Sequence, residues 1–183
     1  HGTDGPLNVT FIDRPSKLQT SFKEAAEQLQ VPYVEDFNGA EQEGYGLHQV
    51  TQKKGRRWSA AAAYLTPARR RKNLEVITGG QVARVILDGK RAVGVELIEG
   101  GQTRRISARR EVILSAGAIG SPHLLMLSGI GDGDALAKHG VAVNHALPAV
   151  GRNLQDHISA RVEMDSASMT PYGISMRAMP KLA

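Results

Sequence analysis

The run from Val112 to Gly131 constrains the fold of this chain more than any other part of the sequence. It contains no Asp, Glu, Lys or Arg over about the length that a bilayer requires, so a membrane span is the first alternative to consider. Four glycines and one proline interrupt the run, and both residue types disfavour a continuous helix. We therefore expect a buried strand, a tight turn and a short helix instead of a span.

The turn in this run is the strongest candidate for a ligand site. We expect a strand over 111–115, small residues at 116–118, and a helix with Pro122 at its first position and Gly129 as the C′ cap. Small residues let a ligand approach the backbone, and the free amides of a helix start favour a phosphate or another anion. A tight strand-to-helix corner needs small residues for packing alone, and the composition leaves both interpretations open.

Preceding this corner, turn signals predict an antiparallel meander of three strands. Predicted strands over 82–87 and 92–98 flank Asp88-Gly89-Lys90-Arg91, where Asp-Gly favours a hairpin. Gly100-Gly101 predicts a second tight turn into a strand over 104–108. The other expected elements are strands over 7–11, 74–78 and 141–143, a helix capped by Ser16 that ends before Pro32, an alanine-rich helix over 59–65 closed by Pro67, and a short helix over 134–139. The fold class is therefore α/β to α+β.

Composition excludes some site chemistries and leaves one open. The chain of 183 residues has no cysteine, so it has neither disulfides nor a thiolate zinc site. The net charge of +5 comes from basic clusters, which are either solvated loop edges or a patch for an anionic partner such as nucleic acid. Aromatic residues make up only 4% of the chain, which makes a base-stacking surface thin. The clusters lie at 53–57, 69–72 and 104–110.

Short motifs of common enzyme classes do not occur. No Gly-x-Gly-x-x-Gly follows a predicted strand, and neither a phosphate-binding P-loop nor Gly-x-Ser-x-Gly is present. None of the six histidines forms a helical metal-binding pair, so we predict no metal site. Asp156-His157 is either a loop dipeptide with hydrogen-bonding duties or the edge of a site.

The segment from Gly117 to Gly131, Gly-Ala-Ile-Gly-Ser-Pro-His-Leu-Leu-Met-Leu-Ser-Gly-Ile-Gly, closely resembles the second signature of the glucose–methanol–choline (GMC) flavin oxidoreductases. Gly120 stands where Asn is usual, and His123 stands where Gln is usual. Other segments resemble the family in the family's own order, in the style of its choline dehydrogenase-like alcohol dehydrogenases. These are residues 36–39, 42–44, 55–60, 63–67, 73–78, 93–96 and 150–157.

The resemblance implies FAD-dependent oxidation of a primary alcohol, choline-like or other, to its aldehyde. The flavin would take a hydride from the carbinol carbon, and a histidine base would take the hydroxyl proton. Val82 would meet the adenine through its backbone, and Ser115, Ala116 and Gly117 would lie along the ADP half of FAD. The family's catalytic histidine motif matches no histidine here, so we expect the catalytic residues C-terminal to this chain.

The resemblance also implies a domain organisation. The chain resembles an interior piece, roughly the middle third of a full-length member, that is inactive by itself. Residues 1–65 would be mostly substrate-domain portion and connecting loop, and 66–157 part of the FAD-binding Rossmann-like domain. Residues 158–183 would return into the substrate domain. The 153–157 loop would lie on the FAD domain, near the substrate side, and the resemblance assigns it no role.

The expected partners are a small alcohol substrate and an electron acceptor that the residues do not identify. We predict a cytoplasmic location, no transmembrane segment and no nucleic acid. The main alternative is a stand-alone module that binds nucleic acid or another anion through the basic clusters, and a folded remnant without function is the third.

Overall fold

The computed structural model describes residues 2, 4–12 and 15–163, and these form two compact units. Unit 1 holds the described residues up to Glu75 and from Arg161 onward, and unit 2 is Val76–Ala160. The division thus falls at 75 and 160, where the sequence suggested 65 and 157. Which unit serves the cofactor and which the substrate stays a prediction. Most of the predicted return into the substrate domain, 164–183, lies outside the described residues.

Unit 1 begins its regular structure with helix α1, Lys17–Gln28. The predicted cap is confirmed and is a full capping box, since the Gln19 amide donates to Ser16 Oγ and the Ser16 amide donates to Gln19 Oε1. Of the apolar residues that recur at helical spacing in α1, only Ala26 is buried, while Phe22 is 66% exposed. Within this unit the helix is therefore held more by its cap than by a covered apolar stripe.

The core of unit 1 is small and consists of Ala26, Val34, Tyr45 and Ala63. Tyr45 pairs its backbone with that of Val34 and donates its hydroxyl to Glu27. Burial, followed by this contact with Glu27, raises the pKa of the Tyr45 phenol above its usual range.

A two-stranded hairpin and a π-helix follow in unit 1. Strands β1, Gln52–Lys53, and β2, Arg56–Arg57, are joined through Lys54 and Gly55, which both have positive φ as a type I′ turn requires. The alanine-rich segment forms a π-helix, Ala61–Leu65, that continues directly into the short helix α2, Thr66–Ala68. Pro67 lies within α2, so the prediction that it closes the alanine-rich helix was wrong.

Unit 2 is built on the predicted meander, which the structure confirms. Strands β3, Gln81–Asp88, β4, Arg91–Glu99, and β5, Gln102–Ser107, pair antiparallel in that order. Gly100 and Gly101 both have positive φ in the second turn, as predicted. Val85 and Leu97 face the core from adjacent strands.

Helix α3, Gly117–Leu127, packs against β3 and ends where the sequence indicated. Gly129 follows the C-cap residue with φ +76°. The chain then forms β6, Ile130–Gly131, helix α4, Gly133–Lys138, and β7, His145–Ala146, which pairs in parallel with β6. Gly140, which follows the C-cap residue of α4, has φ +71°.

Ser128, the one buried polar side chain among the described residues, ties α3 to the sheet. It is 2% exposed, its Oγ accepts a 2.8 Å hydrogen bond from the Val85 amide, and it donates a 2.6 Å bond to the Leu124 carbonyl. Among the described residues β3 has no neighbouring strand on this side, so the Ser128 hydroxyl takes the place of a backbone partner for the Val85 amide.

Four predicted strands do not form in the described residues. Residues 74–78, 111–115 and 141–143 lie in no strand, and of residues 7–11 only Thr10 makes a bridge, to Val50. The prediction that segment 111–115 is buried was wrong, since Ile113 is 76% exposed. A strand needs a neighbour for its backbone groups, and no described residue supplies one there. In the described part of the chain, no helix has both the length and the apolar character that crossing a membrane requires.

Candidate functional site

Three of the four predicted cofactor residues lie around one cavity of unit 2. We call it the corner cavity, and its volume is about 520 Å³, within the range of small-molecule sites. Val82 comes from β3, and Ser115 and Ala116 come from the corner before α3. The full lining is Gln81, Val82, Val95, Val112, Ile113, Leu114, Ser115, Ala116, Gly120, His123, Leu124 and Leu127. Most of these side chains are apolar or small, and none is acidic.

The start of α3 adds hydrogen-bond donors beside this cavity. No side chain caps the helix at Ala116, and the Ala116 amide itself donates to Ser121 Oγ at 3.0 Å. The next three amides, of residues 117–119, have no acceptor among the described residues. These residues are exposed, so their amides are open to an anion, which the helix dipole also favours.

Gly117, the fourth predicted residue, does not line the corner cavity. It begins α3 with φ +81°, and a Cβ built on it meets nothing within 4 Å. Its glycine is therefore required by backbone conformation and not by crowding from other protein atoms. Pro122 lies inside α3, so the prediction that it occupies the first helical position was wrong.

A second cavity, which we call the loop cavity, lies on another side of α3. Its volume is also about 520 Å³, and residues 151–155 form one of its walls. From α3 it is lined by Ala118, Ile119, Pro122, His123 and Met126. Asn153 has φ +57° in this loop, and Gly151 packs against Met126. Part of the 153–157 loop that the resemblance singled out is thus placed against the helix of the predicted cofactor corner.

An ion pair holds the start of this loop. Arg152 Nη2 lies 2.7 Å from Asp132 Oδ2, while Asp132 Oδ1 accepts a hydrogen bond from the Ala135 amide and caps α4. The Ala135 amide first, and then Arg152, lower the pKa of the Asp132 carboxyl below its usual range. Farther along, the Asp156 carboxylate accepts from the His157 amide, which is the local hydrogen-bonding role considered for that pair.

Sequence reasoning missed Gly120, His123, Leu124 and Leu127 as cavity residues. Their spacing of three, four and seven positions places them on one face of a helix, and that signal could have found them once α3 was known to begin at Gly117. His123 lines both cavities.

The basic clusters do not build a comparable site. All of their Lys and Arg residues are exposed, and some are engaged locally: Arg104 pairs with Glu99, and the Lys53 ammonium lies over the Trp58 ring. Within the described residues, no three His, Asp or Glu side chains come together as metal ligands would.

Comparison with known proteins identifies the family. The sequence pattern of the GMC oxidoreductases matches residues 2–159. The chain belongs to the GMC oxidoreductase family. The GMC resemblance of the Gly117–Gly131 segment is thereby confirmed, and these matches give no support to a nucleic-acid-binding module.

GMC relatives of known name extend over nearly the whole chain. The alcohol dehydrogenase [acceptor] of Pseudomonas putida is 42% identical over 183 residues, which are 99% of this chain and 33% of that protein. The mitochondrial choline dehydrogenase of Homo sapiens is 50% identical over 162 residues, 88% of this chain and 27% of that protein. The chain thus spans about a third or less of the length of these relatives.

Solved structures of GMC type agree in fold. Pyridoxine 4-oxidase from Mesorbium loti has a TM-score of 0.74 at 39% identity, over 81% of this chain and 29% of that one. An FAD-dependent oxidoreductase from Chaetomium thermophilum has a TM-score of 0.76 at 27% identity, over 81% of this chain and 26% of that one. The mixed α/β architecture predicted for this chain is therefore confirmed.

Proposed function

We propose that this chain is the part of an FAD-dependent alcohol oxidoreductase that holds the ADP half of FAD, in an enzyme that oxidises a primary alcohol to its aldehyde. The observation that carries the proposal is the corner cavity, where Val82, Ser115 and Ala116 meet beside an uncapped helix start. Family membership supports FAD as the cofactor.

The residues present suit a dinucleotide. The apolar side chains from β3, β4 and 112–114 make a surface for a flat, weakly polar base such as adenine. The open amides of residues 117–119 lie next to the lining residues Ala116 and Gly120 and would be donors for a diphosphate at the edge of the cavity. The lining has no carboxylate to repel it. Bound FAD would supply the hydride acceptor, while the chain supplies binding and orientation.

The remaining parts of the reaction lie elsewhere in this proposal. No residue of this chain is assigned the role of base for the alcohol, and the catalytic residues are expected in sequence C-terminal to it. The substrate would be a small alcohol. None of the described residues identifies the electron acceptor. Cytoplasmic location stays a prediction, and choline dehydrogenase relatives from human and mouse are named mitochondrial.

Binding of FAD to the purified chain tests the proposal directly. We expect wild-type chain to quench the fluorescence of added FAD, and Ser115→Asp to weaken binding by about tenfold or more because a carboxylate would face the diphosphate. Ser107→Asp adds the same charge at an exposed position of β5 outside the cavity and should bind as wild type does. Equal binding by all three proteins, or none by any, would contradict the assignment of this cavity.

Turnover gives a second test. With FAD, a primary alcohol and an artificial acceptor, the 183-residue chain should show no dehydrogenation, because loss of a positioned base alone typically costs about 10²–10⁴-fold. Turnover by the purified chain would show that a residue within it serves as the base.

Sequencing the gene on both sides of the region that encodes this chain would test whether the chain is an interior piece of a longer protein.

A further inference from the structure

His123 occupies a position that neither the reaction nor the family assignment explains. It stands on α3 between the corner cavity and the loop cavity and lines both. Among the described residues that line the corner cavity, it is the only ionisable one. The other polar side chains there, Gln81 and Ser115, carry no charge.

The other charged groups around α3 are either paired or lie away from the corner cavity. His123 is therefore the described lining residue whose charge can change with pH. In the loop cavity the one other charged side chain is Arg152, which is paired with Asp132 at 2.7 Å. On β3, Arg84 is paired with Glu96 at 3.0 Å, and Asp88 lies at the hairpin end of the strand.

The other elements packed against α3 add no further charge to this wall. The charged residues next to segment 112–116, Arg110 and Glu111, are exposed and line neither cavity. Strand β6 consists of Ile130 and Gly131 and carries no charged residue. A glutamine at position 123 would leave this wall neutral at every pH.

We infer that His123 makes the affinity of this cavity for FAD depend on pH, by presenting a cation toward the diphosphate when its imidazole is protonated. The inference rests on the proposed function. Imidazole changes charge between pH 5 and 8, whereas the diphosphate of FAD, a diester, keeps its negative charges throughout that range. FAD should therefore bind more tightly at the acidic end.

The experiment compares wild type with His123→Gln at pH 5.5, 7.0 and 8.5, using quenching of FAD fluorescence by the 183-residue chain. For each protein we take the ratio of the Kd for FAD at pH 8.5 to that at pH 5.5. We expect this ratio to be about two- to fivefold larger for wild type than for His123→Gln, which is the effect of one exposed ion pair. His139→Gln is the matched control, because His139 is an exposed histidine outside both cavities. It should keep the wild-type pH dependence.

Adenosine serves as a second probe because it lacks the diphosphate. Its binding, measured by competition with FAD, should show the same pH dependence in wild type and His123→Gln. Melting temperatures of the variants at each pH, recorded without ligand, would reveal any change in fold.

The outcomes separate this inference from the proposed function. FAD binding with the same pH dependence in wild type and His123→Gln would overturn the role of His123 and leave the cavity assignment in place. An equal effect of His123→Gln on adenosine would also overturn it, since no diphosphate is involved. Failure of every variant to bind FAD at any pH would overturn both.

Discussion

Ser128→Ala should destabilise unit 2 by removing one buried hydrogen-bond acceptor. Ser128 Oγ accepts from the Val85 amide at 2.8 Å, and both residues are buried. Alanine leaves this amide without a partner, while the Leu124 carbonyl still accepts from the Ser128 amide at 3.1 Å. One orphaned group costs about 1–3 kcal/mol.

The size of unit 2 converts this cost into a measurable shift. For a unit of about 85 residues, each kcal/mol lowers the melting temperature by about 4–8 °C. The only tryptophan, Trp58, lies in unit 1, so its fluorescence does not follow this transition directly. Circular dichroism during urea unfolding, together with hydrogen exchange at the Val85 amide, is the appropriate assay.

The local readout decides whether the reasoning is right. If Ser128→Ala lowers the free energy of unfolding of unit 2 by about 2 kcal/mol, the Val85 amide hydrogen should exchange about 30-fold faster through unfolding of that unit. Ser107→Ala, at an exposed position of β5, should change stability by less than about 0.5 kcal/mol. A Ser128→Ala protein within that same margin of wild type, or one whose Val85 amide exchanges as slowly as before, would refute the assignment.

Three further perturbations test other local claims. Gly129→Ala should cost more than about 2 kcal/mol in urea unfolding, because φ is +76° and a Cβ would overlap the Ala142 carbonyl oxygen. Asp132→Asn should lower the melting temperature near neutral pH, and its difference from wild type should shrink as the pH falls below about 4. The pKa of Asp132 is lowered by folding, so the stability it contributes is present above its ordinary value of 3.8 and is lost as the pH falls through the lowered one. Ser16→Ala should destabilise unit 1 by about 1 kcal/mol through loss of the α1 cap, as followed by Trp58 fluorescence.

Matched variants make these results specific. Gly140→Ala is the control for Gly129→Ala, since φ is +71° but no atom lies within 4 Å of its Cβ. Equal costs would show that the Ala142 carbonyl yields without penalty. For the pH dependence of stability below about pH 4, Asp134→Asn is the control and should behave as wild type does. If it behaves as Asp132→Asn does, the assignment of this pH dependence to the Asp132 carboxylate fails. A Ser16→Ala protein as stable as wild type would show that the cap is replaced by solvent.

Features decided within a few residues were predictable from the sequence. The meander follows from turns at 88–91 and 99–102, where glycine supplies the positive φ that a two-residue hairpin demands. The capping of α1 by Ser16 and the glycine after α3 are likewise backbone requirements of the residues themselves. The family signature over Gly117–Gly131 could also be identified without any structure.

Features that need a distant partner were not predictable. Residues 111–115 have the apolar pattern of a strand, but a pattern does not provide the neighbouring strand, and none forms in the described residues. Residues 7–11, 74–78 and 141–143 failed in the same way. The parallel pair β6–β7 was missed because it joins two short segments whose pairing depends on the packing of α3 and α4 between and around them.

The candidate site divides along the same line. Sequence resemblance alone selected Val82, Ser115, Ala116 and Gly117 as cofactor residues. Tertiary structure decided that the first three share a cavity while Gly117 serves the backbone turn, and that His123 joins them from α3. The physical reason is range: a φ preference or a cap is settled by neighbours in sequence, whereas a cavity exists only where a strand, a corner and a helix from separate parts of the chain come together.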